Sequence, residues 1–326
     1  MNAARSAAAG GRRAGRRWPV WPALVLWALL MGPLLRWGLP DRQRDDLLFG
    51  GGPAWDAERY DLAEALRARQ ARQAGADTDL NPLPARDRIA CLTADDGARA
   101  EILRRFRLFS RQPDEMITFM ALQRMQPPHL ARDPQSGRRV LRFDLDPRLY
   151  QYGGGYIYLI GGVLGVSGAL GLIRLTGDAA VYLERPELFA DFYVVSRVVT
   201  LVFGAFLLLA VWRLATRAAG RAAGWLAMLL LACTPVFISG VLEAKPHVPS
   251  ACLLLWAGLS ALDYQARGRR RDGLRLGLQA GYAAGLVLTG VVAAAIWAAL
   301  LVWRRRSAHC RGYAGGLVLA GLLAAG

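Results

Sequence analysis

The chain has 326 residues, of which 54% are hydrophobic, yet its formal net charge is +16. The apolar share excludes a disordered chain, and four scattered cysteines exclude a disulfide framework. The basic residues number 41, and Lys245 is the one lysine among them.

The charge is unevenly placed. Residues 40–155 hold 19 arginines against 18 acidic residues, leaving 22 basic and 7 acidic residues elsewhere. The surplus therefore lies among the apolar runs. Arginines at the ends of such runs mark the cytoplasmic ends of membrane spans, which argues for a membrane partner and against a nucleic acid.

In chain order, residues 1–17 form a basic cytoplasmic N-terminus carrying Arg12, Arg13, Arg16 and Arg17. Residues 18–39 then read as the first transmembrane helix, since about 20 apolar residues cross a bilayer. No A-x-A-like cleavage site follows, so it reads as an uncleaved anchor. Residues 40–155 form a large extracytoplasmic loop with juxtamembrane helices. Within it, Ala54–Ala74 is expected as an amphipathic helix and Asp77–Arg88 as irregular chain. Asp95–Phe109 is expected as a second helix, either lying on the lipid surface or packed on the loop itself.

Next comes Pro113-Asp-Glu-Met-Ile-Thr-Phe-Met-Ala-Leu-Gln-Arg-Met125, an apolar helix with two carboxylates at its start. Asp114 as N-cap and Glu115 in the first turn would satisfy the helix end alone. A chemical role for the pair is the second reading, and Asp45-Asp46 is an alternative acidic pair. Arg142–Tyr158 then re-enters the membrane region through an aromatic, glycine-rich stretch.

Residues 156–326 read as a multi-span membrane region. Its arginine clusters are Arg213, Arg217 and Arg221, then Arg267, Arg269, Arg270 and Arg271, then Arg304, Arg305 and Arg306. If Tyr156–Ile173 spans fully, the first two clusters face outside and the linker at Lys245 faces in. If it lies in the interface or re-enters, both clusters become cytoplasmic and Lys245 faces out, which suits the charges better. Leu274–Val302 is too long for one ordinary span and is expected to break near Thr289–Gly290. The last apolar run, to Gly326, is too short to span, so the region reads as incomplete at its C-terminus.

The ordered set of features resembles the GT-C class of membrane glycosyltransferases, near the protein mannosyltransferases and the bacterial aminoarabinose transferases. It is carried by Asp114-Glu115 with ALQRMQP downstream, by FDLDPRLYQYGGGYIYLIG, by Ser196–Gly204 with the arginine-flanked run after it, and by Glu243-Ala-Lys-Pro-His247. DPRLYQYGG stands where many relatives have a His-Pro-Pro motif, and His247 where an aspartate is common. The resemblance implies an all-α polytopic membrane protein with a large helical extracytoplasmic loop after the first span. It also implies a hexosyl or pentosyl transferase at the outer face of a bacterial-type inner membrane, in the cell envelope. The donor would be a polyprenyl-phosphate sugar and the acceptor a lipid, glycan or protein.

Under that implication Asp114 is the base and Glu115 orients it or the acceptor, since a carboxylate suits general-base work. Lys245 would bind the carrier phosphate, whose charge grows as the glycosidic bond breaks, or else snorkel at the interface. His247 would be a second polar contact or a metal ligand, although a lone histidine is usually neither. Arg197 would meet phosphate or anchor a span end. Tyr150, Tyr152 and Tyr156 would stack on sugar or belong to an aromatic belt. No nucleotide-binding fingerprint precedes a helix, no metal-ligating residue is assigned, and a divalent cation stays open as cofactor. A polytopic transporter or lipid flippase is the alternative function, and a membrane scaffold a third.

Overall fold

A computed structural model describes residues 19–49, 105, 107–132, 138–149, 152–176, 179–292, 294–295, 316 and 318. The helix expected at Ala54–Ala74, the irregular stretch Asp77–Arg88, residues 1–17 and Tyr150 lie outside the described residues. Of the helix expected at Asp95–Phe109, positions 105 and 107–109 are described; 105, 107 and 108 are helical and 109 is not.

The described chain is mostly helical. Helix α1, Trp21–Met31, starts on Pro22 and tightens into a 3-10 turn over Gly32–Arg36, where Pro33 supplies no amide hydrogen. At about 1.5 Å per α-helical and 2.0 Å per 3-10 residue the combined segment reaches about 27 Å, short of a bilayer core of about 30 Å. Helix thus covers less of this apolar run than the expected 18–39. Helix α2 (Arg42–Phe49) carries Asp45 and Asp46.

Helix α3, Pro113–Arg124, ends at Pro127 and Pro128, which cannot continue a helix and favour extended chain. There the loop leaves helix for a short hairpin that the helical expectation did not include. Strands β1 (Gln126–Arg132) and β2 (Arg139–Asp144) pair antiparallel with Leu130 opposite Leu141, and the register shifts between Gln126 and His129.

The helices that follow are α4 (Gly154–Ala169), α5 (Ala179–Glu184), α6 (Pro186–Ala219), α7 (Arg221–Ala232), α8 (Pro235–Val241), α9 (His247–Arg267) and α10 (Arg270–Leu286). With 34 residues α6 extends about 51 Å, long enough and apolar enough to cross a bilayer. The α7–α8 pair, bent by 68° at the break before Pro235, is a second candidate if counted as one span. Among the described residues no further helix meets both requirements. α10 ends at Leu286, and the chain turns at residues 288–289 before helix resumes at Gly290, at the break expected near Thr289–Gly290.

The core has two main parts. In one, Leu24 and Trp27 of α1 pack with Leu201 and Leu208 of α6, with Phe237 and Val241 of α8, and with Cys252 of α9. Gly204 permits that approach, because a Cβ there would lie 2.6 Å from Val241 and 3.1 Å from Trp27. In the other, Phe119 of α3 meets Tyr156 and Ile160 of α4, Tyr193 of α6 and Leu286 of α10.

Ion pairs fix which helix ends lie together. Arg217 bonds Asp263 at 3.0 Å, Arg267 approaches the same carboxylate at 3.9 Å, and the Arg213 guanidinium lies over Trp256. The first two arginine clusters after α4 therefore share one end of the bundle. At the opposite end, Arg36 bonds Asp191 at 2.8 Å near the start of α6.

Both ends of α4 lie at that opposite end. Before it, Gly153 donates its backbone N–H to the Leu286 carbonyl, where α10 ends. After it, Ile173 joins Ala190 and Tyr193, and the Leu183 carbonyl accepts from Arg107 at 2.7 Å. The segments that flank α4 therefore lie against the last turn of α10 and the first turns of α6.

Gly153 is sterically required. A Cβ there would lie 1.8 Å from the Gly285 carbonyl oxygen, a backbone atom that has no rotamer to change. Gly153→Ala is expected to lower stability by about 1–3 kcal/mol, the usual cost of overpacking, measured by denaturation in detergent. Unchanged stability would show that the 152–154 segment can shift freely.

Candidate functional site

The site begins at the first turn of α3. Gln112 has an extended backbone and acts as N-cap without a side-chain bond, and Pro113 opens the helix, where proline's missing N–H costs nothing. Asp114 and Glu115 follow in the first turn, where the helix dipole favours carboxylates. Asp114 is thus not the N-cap. Successive residues on a helix point about 100° apart, and here the two carboxylates face different surroundings.

Glu115 is fully buried and its oxygens are occupied. Oε1 accepts from Arg197 Nε at 2.8 Å and from the Ala244 backbone N–H at 2.7 Å. Oε2 accepts from Arg197 Nη2 at 2.7 Å and from the Ser110 hydroxyl. Arg197, 2% exposed, also donates through Nη1 to the Leu35 and Trp37 carbonyls, both at 2.8 Å. One ion pair therefore ties together four segments: the chain after α1, the start of α3, α6, and the linker before α9. A fully hydrogen-bonded bidentate pair of this kind is the form in which buried charge is tolerated.

Asp114 faces the other way. Its side chain is 49% exposed, and Oδ2 lies 3.1 Å from Lys245 Nζ. The same ammonium lies 3.0 Å from Glu243 Oε2, and Glu243 Oε1 accepts from Ser239 at 2.9 Å. The Lys245 and Glu243 side chains are 15% and 14% exposed. Burial lowers the Lys245 pKa, but its hydrogen bonds to Glu243 and Asp114 and their charges outweigh that and hold it above the ordinary lysine value. Lys245 is therefore a stable cation beside two carboxylates.

Tyr152 completes the group. Its backbone bridges Val287, and its ring meets the exposed His247 ring edge-on with centroids 6.0 Å apart. Burial raises its phenol pKa, the Asp114 charge raises it further, Lys245 opposes, and Glu243 adds to the rise. Tyr152 therefore stays a neutral hydroxyl within reach of these charges.

The structure brings Asp114, Lys245, His247 and Tyr152 into one cluster at the end of the bundle opposite the arginines. Three sequence-assigned residues sit differently. Glu115 has both oxygens taken by Arg197, Ser110 and Ala244. Arg197 is spent on Glu115 and two carbonyls. Tyr156 is 0% exposed, in the core with Phe119, Ile160 and Tyr193. Sequence reasoning overlooked Glu243, although it stands two residues before Lys245 in the same quoted motif. The side chains of Asp45 and Asp46 lie outside the description. Among the described residues, no group of three or more His, Cys, Asp or Glu side chains stands close enough to hold a metal ion.

Residues 186–325 match the family described as dolichyl-phosphate-mannose-protein mannosyltransferase, within the GT-C class of glycosyltransferases. The resemblance read from the sequence is borne out over that stretch. Arg197, Glu243, Lys245 and His247 fall inside it, while Asp114, Glu115 and Tyr152 precede it. The match supports a glycosyltransferase. No curated protein and no solved structure matches the chain.

Proposed function

We propose that the protein transfers a sugar from a polyprenyl-phosphate carrier to an acceptor at the extracytoplasmic membrane face, with Asp114 as the base. The observation that carries this reading is the half-exposed Asp114 carboxylate beside the partly buried, charged Lys245. A transferase of this kind needs a proton acceptor and a cation next to each other at a membrane surface.

In the proposed reaction the acceptor oxygen attacks the sugar's anomeric carbon while its proton passes to an Asp114 oxygen. The bond from that carbon to the phosphate oxygen breaks, and the electron pair leaves on the phosphate. Lys245 stabilises the developing phosphate charge. Tyr152 and His247 line the sugar's side of the cluster, with the Tyr152 hydroxyl available as a donor. Glu115 and Arg197 act indirectly, holding α3 against the Lys245 linker through the Ala244 N–H. The family match supports a lipid-linked donor and a glycan or protein acceptor, and does not favour the transporter reading.

Sidedness follows from charge. The arginine clusters of α6–α7 and α9–α10 lie at one end of the bundle, and basic loops stay cytoplasmic. This supports the Asp114 end as the extracytoplasmic one, in the bacterial-type inner membrane of the proposed reading. His247→Cys, at an exposed position where α9 begins, should accordingly react with a membrane-impermeant maleimide added outside sealed spheroplasts. Labelling only after the membrane is opened would invert the assignment.

The deciding assay measures sugar release from labelled polyprenyl-phosphate mannose by membranes holding the full-length protein. Wild type should turn over and a stably inserted Asp114→Asn variant should not. Full activity of that variant would remove the base assignment. Failure of wild type with every lipid-linked sugar offered would overturn the transferase reading itself.

A further inference from the structure

The resting site contains an apparent contradiction. An ammonium hydrogen-bonded to Asp114 Oδ2 occupies a lone pair that a base would use, and the same ammonium is the group proposed to meet phosphate. Lys245 also stands between two carboxylates, so Asp114, Glu243 and Lys245 together carry one net negative charge. That charge opposes an incoming phosphate unless one carboxylate lets go.

The two contacts of Lys245 differ in how firmly they are held. Asp114 is 49% exposed, and water competes for its carboxylate. Exposed ion pairs of this kind exchange readily, with net stabilities of about 0–1 kcal/mol. Glu243 is 14% exposed, and its second oxygen is fixed by the Ser239 hydroxyl one helical turn earlier. Glu243 and Lys245 also share one short linker between α8 and α9, whereas Asp114 lies on another element. The Asp114 contact is the one that yields.

We propose that Glu243 is a positioning residue that retains Lys245 when the donor phosphate replaces Asp114 on the ammonium, so that donor binding itself uncovers the base. This rests on the donor and base reading above and adds an order to it: donor first, acceptor second. Before the donor arrives, Asp114 is capped and the site is silent. Afterwards Lys245 bridges Glu243 and phosphate, while Asp114 is free for the acceptor hydroxyl. No covalent step is involved, only an exchange of hydrogen-bond partners on one ammonium.

Zero-length carbodiimide cross-linking of the full-length protein in nanodiscs, read by mass spectrometry, tests this directly. Without ligand, Lys245 should form amide links to both Asp114 and Glu243. Saturating polyprenyl phosphate should abolish the link to Asp114 and leave the link to Glu243. With bound polyprenyl phosphate, persistence of the Asp114 link, or loss of both links together, overturns the inference and leaves the proposed function intact. Failure of polyprenyl phosphate to bind at any concentration would instead sink the donor assignment on which both rest.

Kinetics supply a second measure. Glu243→Gln should raise the donor KM about tenfold while kcat at saturating donor changes less than about threefold, the pattern of lost ground-state binding. Glu243→Asp should restore part of the affinity. A fall in kcat with unchanged KM would remove Glu243 from the donor site.

Discussion

Arg197→Met is expected to destabilise the protein by about 3–5 kcal/mol, the usual cost of leaving one member of a buried ion pair alone. Methionine roughly fills the arginine's path but supplies none of its donors. The Glu115 carboxylate would keep its bonds from Ser110 and Ala244 yet lose its counter-charge, and the Leu35 and Trp37 carbonyls would lose Nη1. Glu115→Leu should be comparably damaging, because it strands the guanidinium. The double variant should recover part of the loss, since replacing a whole buried pair by apolar side chains is often neutral. Its recovery will be incomplete, because the Ala244 N–H and two carbonyls stay unpartnered at about 1–3 kcal/mol each. Chemical denaturation in detergent gives the full cycle. A loss below about 1 kcal/mol for Arg197→Met would mean that the four segments are held together by packing alone.

Asp114→Asn, one residue away, is expected to show the opposite pattern. Turnover should fall about 10²–10⁴-fold, the range attributed to a positioned general base. Stability should change by less than about 1 kcal/mol, because the Asp114–Lys245 contact is half exposed and screened. Asparagine keeps the shape and can still accept a hydrogen bond from Lys245, but it cannot take a proton. Measuring both variants for rate and for stability separates the roles of the adjacent carboxylates: a large rate effect without unfolding at position 114, and unfolding at position 115.

The alkaline side has a defined sign. The folded-state pKa of Lys245 is raised above the ordinary value of 10.5. Its contribution is therefore complete below the ordinary value and is lost as pH rises through the raised one. Donor affinity should hold through neutral pH and fall only in strongly basic buffer, and Lys245→Met should remove that alkaline limb. A limb that begins near neutrality would belong to a different group.

The parts of this protein legible from sequence are those governed by local rules. Apolar runs, arginine clusters at their ends and prolines at helix starts and stops act over a few residues, and they mark α1, α6, α9 and the break before Gly290. The β1–β2 hairpin was missed, although Pro127-Pro128 forbids a helix there, because an extended arginine-rich segment in a loop has no strong period of its own. Asp114 and Lys245 were both selected from sequence for the chemistry they can perform, without any signal that they touch.

What only the tertiary structure decided is how residues far apart in the chain divide the work. Glu115 and Arg197 are separated by 82 positions, and each alone reads as a charge free for chemistry. Folding spends one on the other, because burial leaves no water to satisfy either. The same packing leaves Asp114 half in solvent beside Lys245, encloses Tyr156 and leaves His247 exposed against Tyr152. The sequence by itself determined which segments are apolar and where positive charge gathers, since both follow from composition along the chain. Which carboxylate is spent on structure and which stays accessible depends on the direction each side chain takes from one helical turn. That direction is set by what packs against the turn from three distant segments.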